Sequence, residues 1–128
     1  MSFKDKIIVI TGGTRGIGAA IANTFDKLGA QLLLIYRSDE KSAVQFLNGL
    51  SGDHQIYQCD ISDPAQVEEL IDDIQKEFGQ IDICINNAGI GYHHPIDEVN
   101  YAQWQKSWQQ IMKVNLIGPS NVCLLYTF

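Results

Sequence analysis

The stretch from Ile7 to Gly18, IIVITGGTRGIG, constrains the fold more than any other part of the chain. Four consecutive β-branched residues, Ile7-Ile8-Val9-Ile10, suit a strand buried on both faces, as in the middle of a parallel sheet. They run into a glycine-rich turn that opens onto a second apolar-periodic segment, so strand, turn and helix follow in order. Gly12, Gly16 and Gly18 remove side chains where the backbone must turn tightly. They also let a diphosphate approach the first N–H groups of the helix, whose unpaired donors and dipole favour an anion. The spacing, Thr-Gly-x-x-x-Gly-x-Gly from Thr11 to Gly18, departs from the G-x-G-x-x-G dinucleotide fingerprint. It is not a P-loop either, because Ala19 and Ala20 stand where Lys and Ser/Thr would be required.

The same alternation continues. Ile17, Ile21, Phe25 and Leu28 fall on one helical face, closed by Gly29. Ala30 to Tyr36 is a second apolar run, followed by the polar Arg37-Ser38-Asp39 and a helical stripe of Ala43, Phe46, Leu47 and Leu50. Gln55 to Cys59 reads as a third strand. Asp63 then caps the clearest helix of the sequence, Pro64 fits its first turn, Gln66 completes a capping-box-like spacing, and Val67, Leu70, Ile71, Ile74 and Phe78 face the core before Gly79. Ile81 to Ile85 is a fourth strand, ending in Asn86-Asn87-Ala88-Gly89. Strands alternating with helices at this pitch predict βαβ units, a parallel sheet and right-handed crossovers.

With 128 residues, 45% of them hydrophobic, the chain has material for one compact domain spanning residues 1–128. No apolar run approaches the roughly 20 residues of a membrane span, and MSFKDK leads into a strand without a secretory core, which makes the cytoplasm the expected compartment. Cys59, Cys84 and Cys123 are odd in number and lack C-x-x-C pairing, and are read as reduced core thiols. The net charge of −6 argues against nucleic acid or an anionic membrane as partner. Its distribution is uneven: residues 1–37 carry five basic and two acidic groups, a net +3, against −9 for the remainder, so an anionic ligand would prefer the first third.

Residues 90–100 read as loop. His93-His94 invites a metal reading, but sequence neighbours rarely point the same way and no third ligand stands nearby, so a solvated loop is expected and no metal. Trp104, Trp108 and Ile111 then share one helical stripe that Asn115 continues. An amide on an apolar face is either locally satisfied or functional. Pro119, four residues on, supplies no N–H to the Asn115 carbonyl and crowds it, leaving a free backbone C=O at a kink that can hold a water. The helix is expected to run through Val122, Leu124 and Leu125 to Phe128 without a stop signal, so the chain ends mid-element.

In combination these motifs resemble the N-terminal half of the short-chain dehydrogenase/reductase family. The likeness rests on Thr11 to Gly18, Asp60 after the third strand, Asn86 to Gly89 after the fourth, and Asn115 in Val114-Asn115-Leu116. It implies an α/β, Rossmann-like, doubly wound parallel sheet, truncated after the fourth strand and its following helix. It further implies that Gly12, Thr14, Arg15, Gly16, Ile17 and Gly18 bind the coenzyme diphosphate, that Asp60 meets the adenine amino group and Ile61 lines its pocket, and that Asn87, Ala88 and Gly89 lie beside the nicotinamide ribose. The Asn115 carbonyl would hold a water of a proton relay. Intact members form homo-oligomers, commonly through this last helix.

The end of the second strand bears on coenzyme choice. NAD-preferring members place an acid there, whereas this sequence has Tyr36-Arg37-Ser38. Arg37 with Arg15 can form a two-guanidinium clamp on a 2′-phosphate, unless either is only a solvated surface charge. NADP(H) is therefore expected over NAD(H). The family's catalytic serine and Tyr-x-x-x-Lys pair are missing: the residues four after Tyr36, Tyr57, Tyr92 and Tyr101 are Glu40, Ile61, Ile96 and Gln105, and that position for Tyr126 lies beyond the sequence. The family's fifth strand is missing too, which would leave Ile83-Cys84-Ile85 as an open edge. Two readings are open: the truncated coenzyme-binding portion of an NADP-dependent carbonyl reductase or alcohol dehydrogenase, or a catalytically silent dinucleotide-binding or interaction module.

Overall fold

In the computed structural model, which describes residues 2–127, the strands are β1 (Ile7–Thr11), β2 (Gln31–Tyr36), β3 (Gln55–Gln58) and β4 (Ile83–Asn86). The helices are α1 (Gly16–Lys27), α2 (Glu40–Leu47), α3 (Pro64–Phe78), α4 (Tyr101–Met112) and α5 (Gly118–Thr127), with a π-helical turn, Lys113–Ile117, between the last two. Phe128, the expected end of the final helix, lies outside the described residues.

All strand pairs are parallel, in the order β3-β2-β1-β4. The polypeptide steps outward from β1 through β2 to β3, then crosses back to place β4 on the other side of β1. This reversal opens a crevice at the C-terminal ends of β1 and β4, where open α/β sheets bind ligands.

Successive β1 side chains feed opposite layers. Ile8 and Ile10 pack with Leu32, Leu34 and Ala22, with Phe25 and Phe46 of α1 and α2 against them. Val9 packs with Leu33, Ile35, Val67, Ile74 and Val122, the layer of α3 and α5. Both faces are thus covered, which is why the strands read as continuous apolar runs. Each of these wholly buried aliphatic side chains contributes about 1.5–3 kcal/mol.

The α3 prediction is met at Val67, Leu70, Ile71 and Ile74, all buried. Its start differs from a capping box. Asp63 accepts from the Ala65 and Gln66 N–H groups, but Gln66 Oε1 reaches back beyond the cap to accept from Asp60 N–H at 3.0 Å. Gln66 therefore ties the helix to the preceding loop, while its Nε2 donates to Asp63 Oδ2.

Three other expectations need correction. Ile17 is 75% exposed and forms no part of the α1 core stripe, because it faces a surface cleft instead. Cys59 is buried and Cys84 half-buried, burial pushing both thiols up to about 11, but Cys123 is exposed. Trp104 and Trp108, read as one stripe on an apolar helical face, are 42% and 44% exposed, and α4 buries no residue. Periodicity marked the stripe correctly. What it could not supply was a surface beneath it, since α5, and not α4, lies against α3 and β4, with the Tyr126 hydroxyl donating to Ile81 O at 2.9 Å.

Candidate functional site

A cleft of about 420 Å³ opens at the crevice between β1 and β4 and extends over the ends of β2 and β3. It brings together eleven of the thirteen residues singled out in the sequence. From the glycine turn come Gly12, Thr14, Arg15, Gly16 and Ile17; from the end of β2, Arg37; from beyond β3, Asp60 and Ile61; and from beyond β4, Asn87, Ala88 and Gly89.

The turn geometry explains its glycines. Gly16 has φ +55°, and a Cβ there would meet no atom within 4 Å, so its backbone faces open space at the start of α1. Gly18 works differently from the expectation that it admits a ligand. It lies beneath the turn, outside the cleft, and a Cβ would sit 2.1 Å from the Gly12 carbonyl oxygen and 2.6 Å from Asn87 Nδ2. Its role is close packing of helix on turn.

Asp39, Asp63 and Asn100 cap α2, α3 and α4 with side-chain oxygens, whereas Arg15, the residue before α1, caps with none, and no acid occupies the first turn of α1. The leading N–H groups of α1 therefore face the cleft without a side-chain acceptor, beside the Arg15 and Arg37 guanidinium groups that line the same cleft. The carboxylate on this side of the cleft is Asp39. Hydrogen bonds from the Ser42 hydroxyl and N–H, opposed by some burial and aided by Arg15, hold it below the usual carboxylate range.

A hub that sequence reading did not single out joins the two strand ends. The buried Thr11 hydroxyl oxygen accepts from the Asn87 and Ala88 N–H groups, each at 3.1 Å, and donates to Ile85 O at 3.4 Å. Asn87 Nδ2 in turn donates to the carbonyls of Thr11 and Gly12. Five hydrogen bonds, one to β4 and four to the turn after it, thus lock that strand end to Thr11 and Gly12 across 74 to 77 residues of sequence. Thr11 opens the motif, which is the only sequence signal it carries. Tyr36, Ser38 and Val114 also line the cleft.

Across the cleft, Asp60 Oδ1 accepts from the Ser62 N–H and hydroxyl, leaving its second oxygen without a protein partner among the described residues.

Asn115 is not in the cleft wall. Its amide is exposed and forms a two-way pair with the Ile90 backbone, accepting from its N–H and donating to its carbonyl, both at 2.8 Å. The expected kink is a π turn: the Gly118 N–H reaches Lys113 O, five residues back, and Pro119 has no N–H to offer the Asn115 carbonyl. Asn115 stands 3.4 Å behind the position of a Gly89 Cβ.

A parallel doubly wound sheet with a glycine cradle at its switch point defines the Rossmann-like class. Residues 6–127 match the model of the short chain dehydrogenase family, to which the chain belongs. It is 36% identical over 123 residues to 3beta-hydroxysteroid dehydrogenase 1 of Eggerthella lenta, covering 94% of this chain and 46% of that one. It is 34% identical over 116 residues to the 3-oxoacyl-[acyl-carrier-protein] reductase FabG of Escherichia coli, covering 91% and 46%. Among solved structures it resembles the RhlG/NADP active-site complex of Pseudomonas aeruginosa, with TM-score 0.85 and 26% identity over 98% of this chain and 48% of that one. A short chain dehydrogenase from Burkholderia cenocepacia in complex with NADP gives TM-score 0.84 and 27% identity over 99% and 51%. The chain spans about half the length of the relatives it matches.

Proposed function

We propose that residues 1–128 form the NADP(H)-binding portion of a short-chain dehydrogenase/reductase whose reaction moves a hydride between nicotinamide and a carbonyl or alcohol substrate. The observation that carries this reading is the uncapped start of α1, facing a glycine-lined cleft beside two arginines. The open space at Gly16 and the donor set fit a diphosphate. Gly12, Thr14, Arg15, Gly16 and Ile17 would hold it, with Gly18 supporting the turn from beneath. Asp60 would accept from the adenine amino group through its unused oxygen, Ile61 would cover the base, and Asn87, Ala88 and Gly89 would flank the nicotinamide ribose. The bound coenzyme supplies the hydride chemistry; the residues of this protein bind and orient it. Asn115 fixes the Ile90 backbone through its side chain, and its carbonyl, denied a donor by Pro119, is suited to hold a relay water.

NADP(H) is preferred over NAD(H) because Arg15 and Arg37 share the cleft and no acid ends β2. A charge-assisted contact is worth about 1.5–3 kcal/mol, so Arg37→Asp should weaken NADPH roughly ten- to a hundredfold while sparing NADH. Fluorescence titration with both coenzymes tests this, and an unchanged preference would reject the assignment.

The compartment is the cytoplasm; no helix of the described residues is long and apolar enough to cross a membrane. A second copy is the partner of the exposed α4 face, where Tyr101 stacks on Trp104 and Trp104 packs on Trp108 with centroids 6.2 and 6.0 Å apart. Such a self-complementary apolar stripe suits an isologous contact.

A further inference from the structure

Ile61 is held from behind by two residues that do not line the cleft. Its backbone carbonyl accepts from Asn121 Nδ2 at 3.1 Å. Its side chain rests on the buried Gly118, where a Cβ would come within 2.7 Å of both Cγ1 and Cδ1. The backbone is tethered, and a carbon added at Gly118 would require the Ile61 side chain to shift.

Both holding residues lie just after the π turn, and Asn115 lies within it. One helical run therefore fastens two walls of the cleft, the post-β4 wall through Ile90 and the post-β3 wall through Ile61. The π turn inserts an extra residue into the ladder and re-phases the residues after it, which lets the fastenings face different loops. Dispersion contact with a flat base falls off within a fraction of an ångström, so the position of the Ile61 wall governs how well a base is gripped.

We infer that Gly118 and Asn121 are positioning residues for the adenosine end of the coenzyme, acting through Ile61. This rests on the reading of the cleft as a dinucleotide site. Gly118→Ala pushes the Ile61 side chain into the cleft. Asn121→Asp keeps the shape but withdraws the donor and sets a carboxylate against the Ile61 carbonyl, releasing the loop.

The test is titration of the protein with adenosine 2′,5′-bisphosphate and, separately, with nicotinamide mononucleotide, followed by amide chemical shifts so that millimolar affinities are measurable. Each variant should bind the adenosine fragment about five- to tenfold more weakly, with the nicotinamide fragment changed by less than twofold. Folded variants that bind the adenosine fragment as wild type does, or lose both fragments equally, would overturn the inference while leaving the cleft reading intact. If wild type binds neither fragment nor NADPH, the cleft reading itself fails. Gly118→Ala keeps the test decisive should Asn121→Asp not fold.

Discussion

At the scale of single residues the cleft depends on side chains that touch no ligand. Thr11 accepts the Asn87 and Ala88 N–H groups, for which no other acceptor stands among the described residues. Thr11→Val, equal in shape, should lower stability by about 1–3 kcal/mol by leaving buried donors unsatisfied, and Thr11→Ser should restore most of it; urea midpoints measure both. The glycine turn was legible because its chemistry is written in local spacing, and Arg15 and Arg37 by their charge, the latter standing where an acid would otherwise be; Asp60 was reached through the family resemblance alone. The Thr11 hub was not, because its partners lie 74 to 77 residues away and no local pattern announces them. Gly18 shows the same limit: its need to be glycine was evident, but its cause is the Gly12 carbonyl 2.1 Å from where a Cβ would stand.

Among the elements, α1, β2 and the turn before β3 are joined by a pair that sequence periodicity does not mark. The His54 and Asp26 side chains are 2% and 7% exposed, with Nε2 and Oδ1 2.8 Å apart. Leu32 N–H donates to His54 Nδ1 at 3.1 Å, which assigns the neutral ring as the Nε2–H tautomer donating to Asp26. His54 thereby adds an acceptor to β2 one residue before the β2–β3 ladder begins at Leu33. Burial pushes the Asp26 carboxyl up, but hydrogen bonds from His54 and from the Ser51 and Gly52 N–H groups outweigh it and hold the group below the usual carboxylate range. A lowered native value means a stabilising contribution present at neutral pH and lost as pH falls through that value. Wild type should therefore lose stability more steeply below about pH 4 than Asp26→Asn, which should already be weaker at pH 7 by about 1.5–3 kcal/mol. Urea denaturation across pH 3–7 checks the sign, and parallel curves would contradict it. The strands and α3 were readable because burial on both faces and on one stripe are local patterns. The π turn was not: Pro119 announced a broken ladder, but no local pattern announced that the Gly118 N–H would reach Lys113 O, five residues back.

For the molecule as a whole, the parallel sheet was legible from the alternation of apolar runs and helical stripes and its doubly wound order from the family resemblance, whereas the exposure of α4 was not. Both tryptophans of the protein stand on that face, so indole emission reports on it directly. Emission should be red-shifted in dilute protein and move blue as concentration rises. Trp108→Lys should hold the protein as monomer in sedimentation velocity; association undiminished by that change would place the contact elsewhere. The central claim concerns the cleft at the C-terminal ends of the strands, where an uncapped helix and two guanidinium groups meet. Its most direct measurement is equilibrium titration of folded protein with NADPH and NADH, read by coenzyme fluorescence. Saturable binding of NADPH, at least tenfold tighter than NADH, is the predicted result; folded protein with no affinity for either coenzyme would contradict the account.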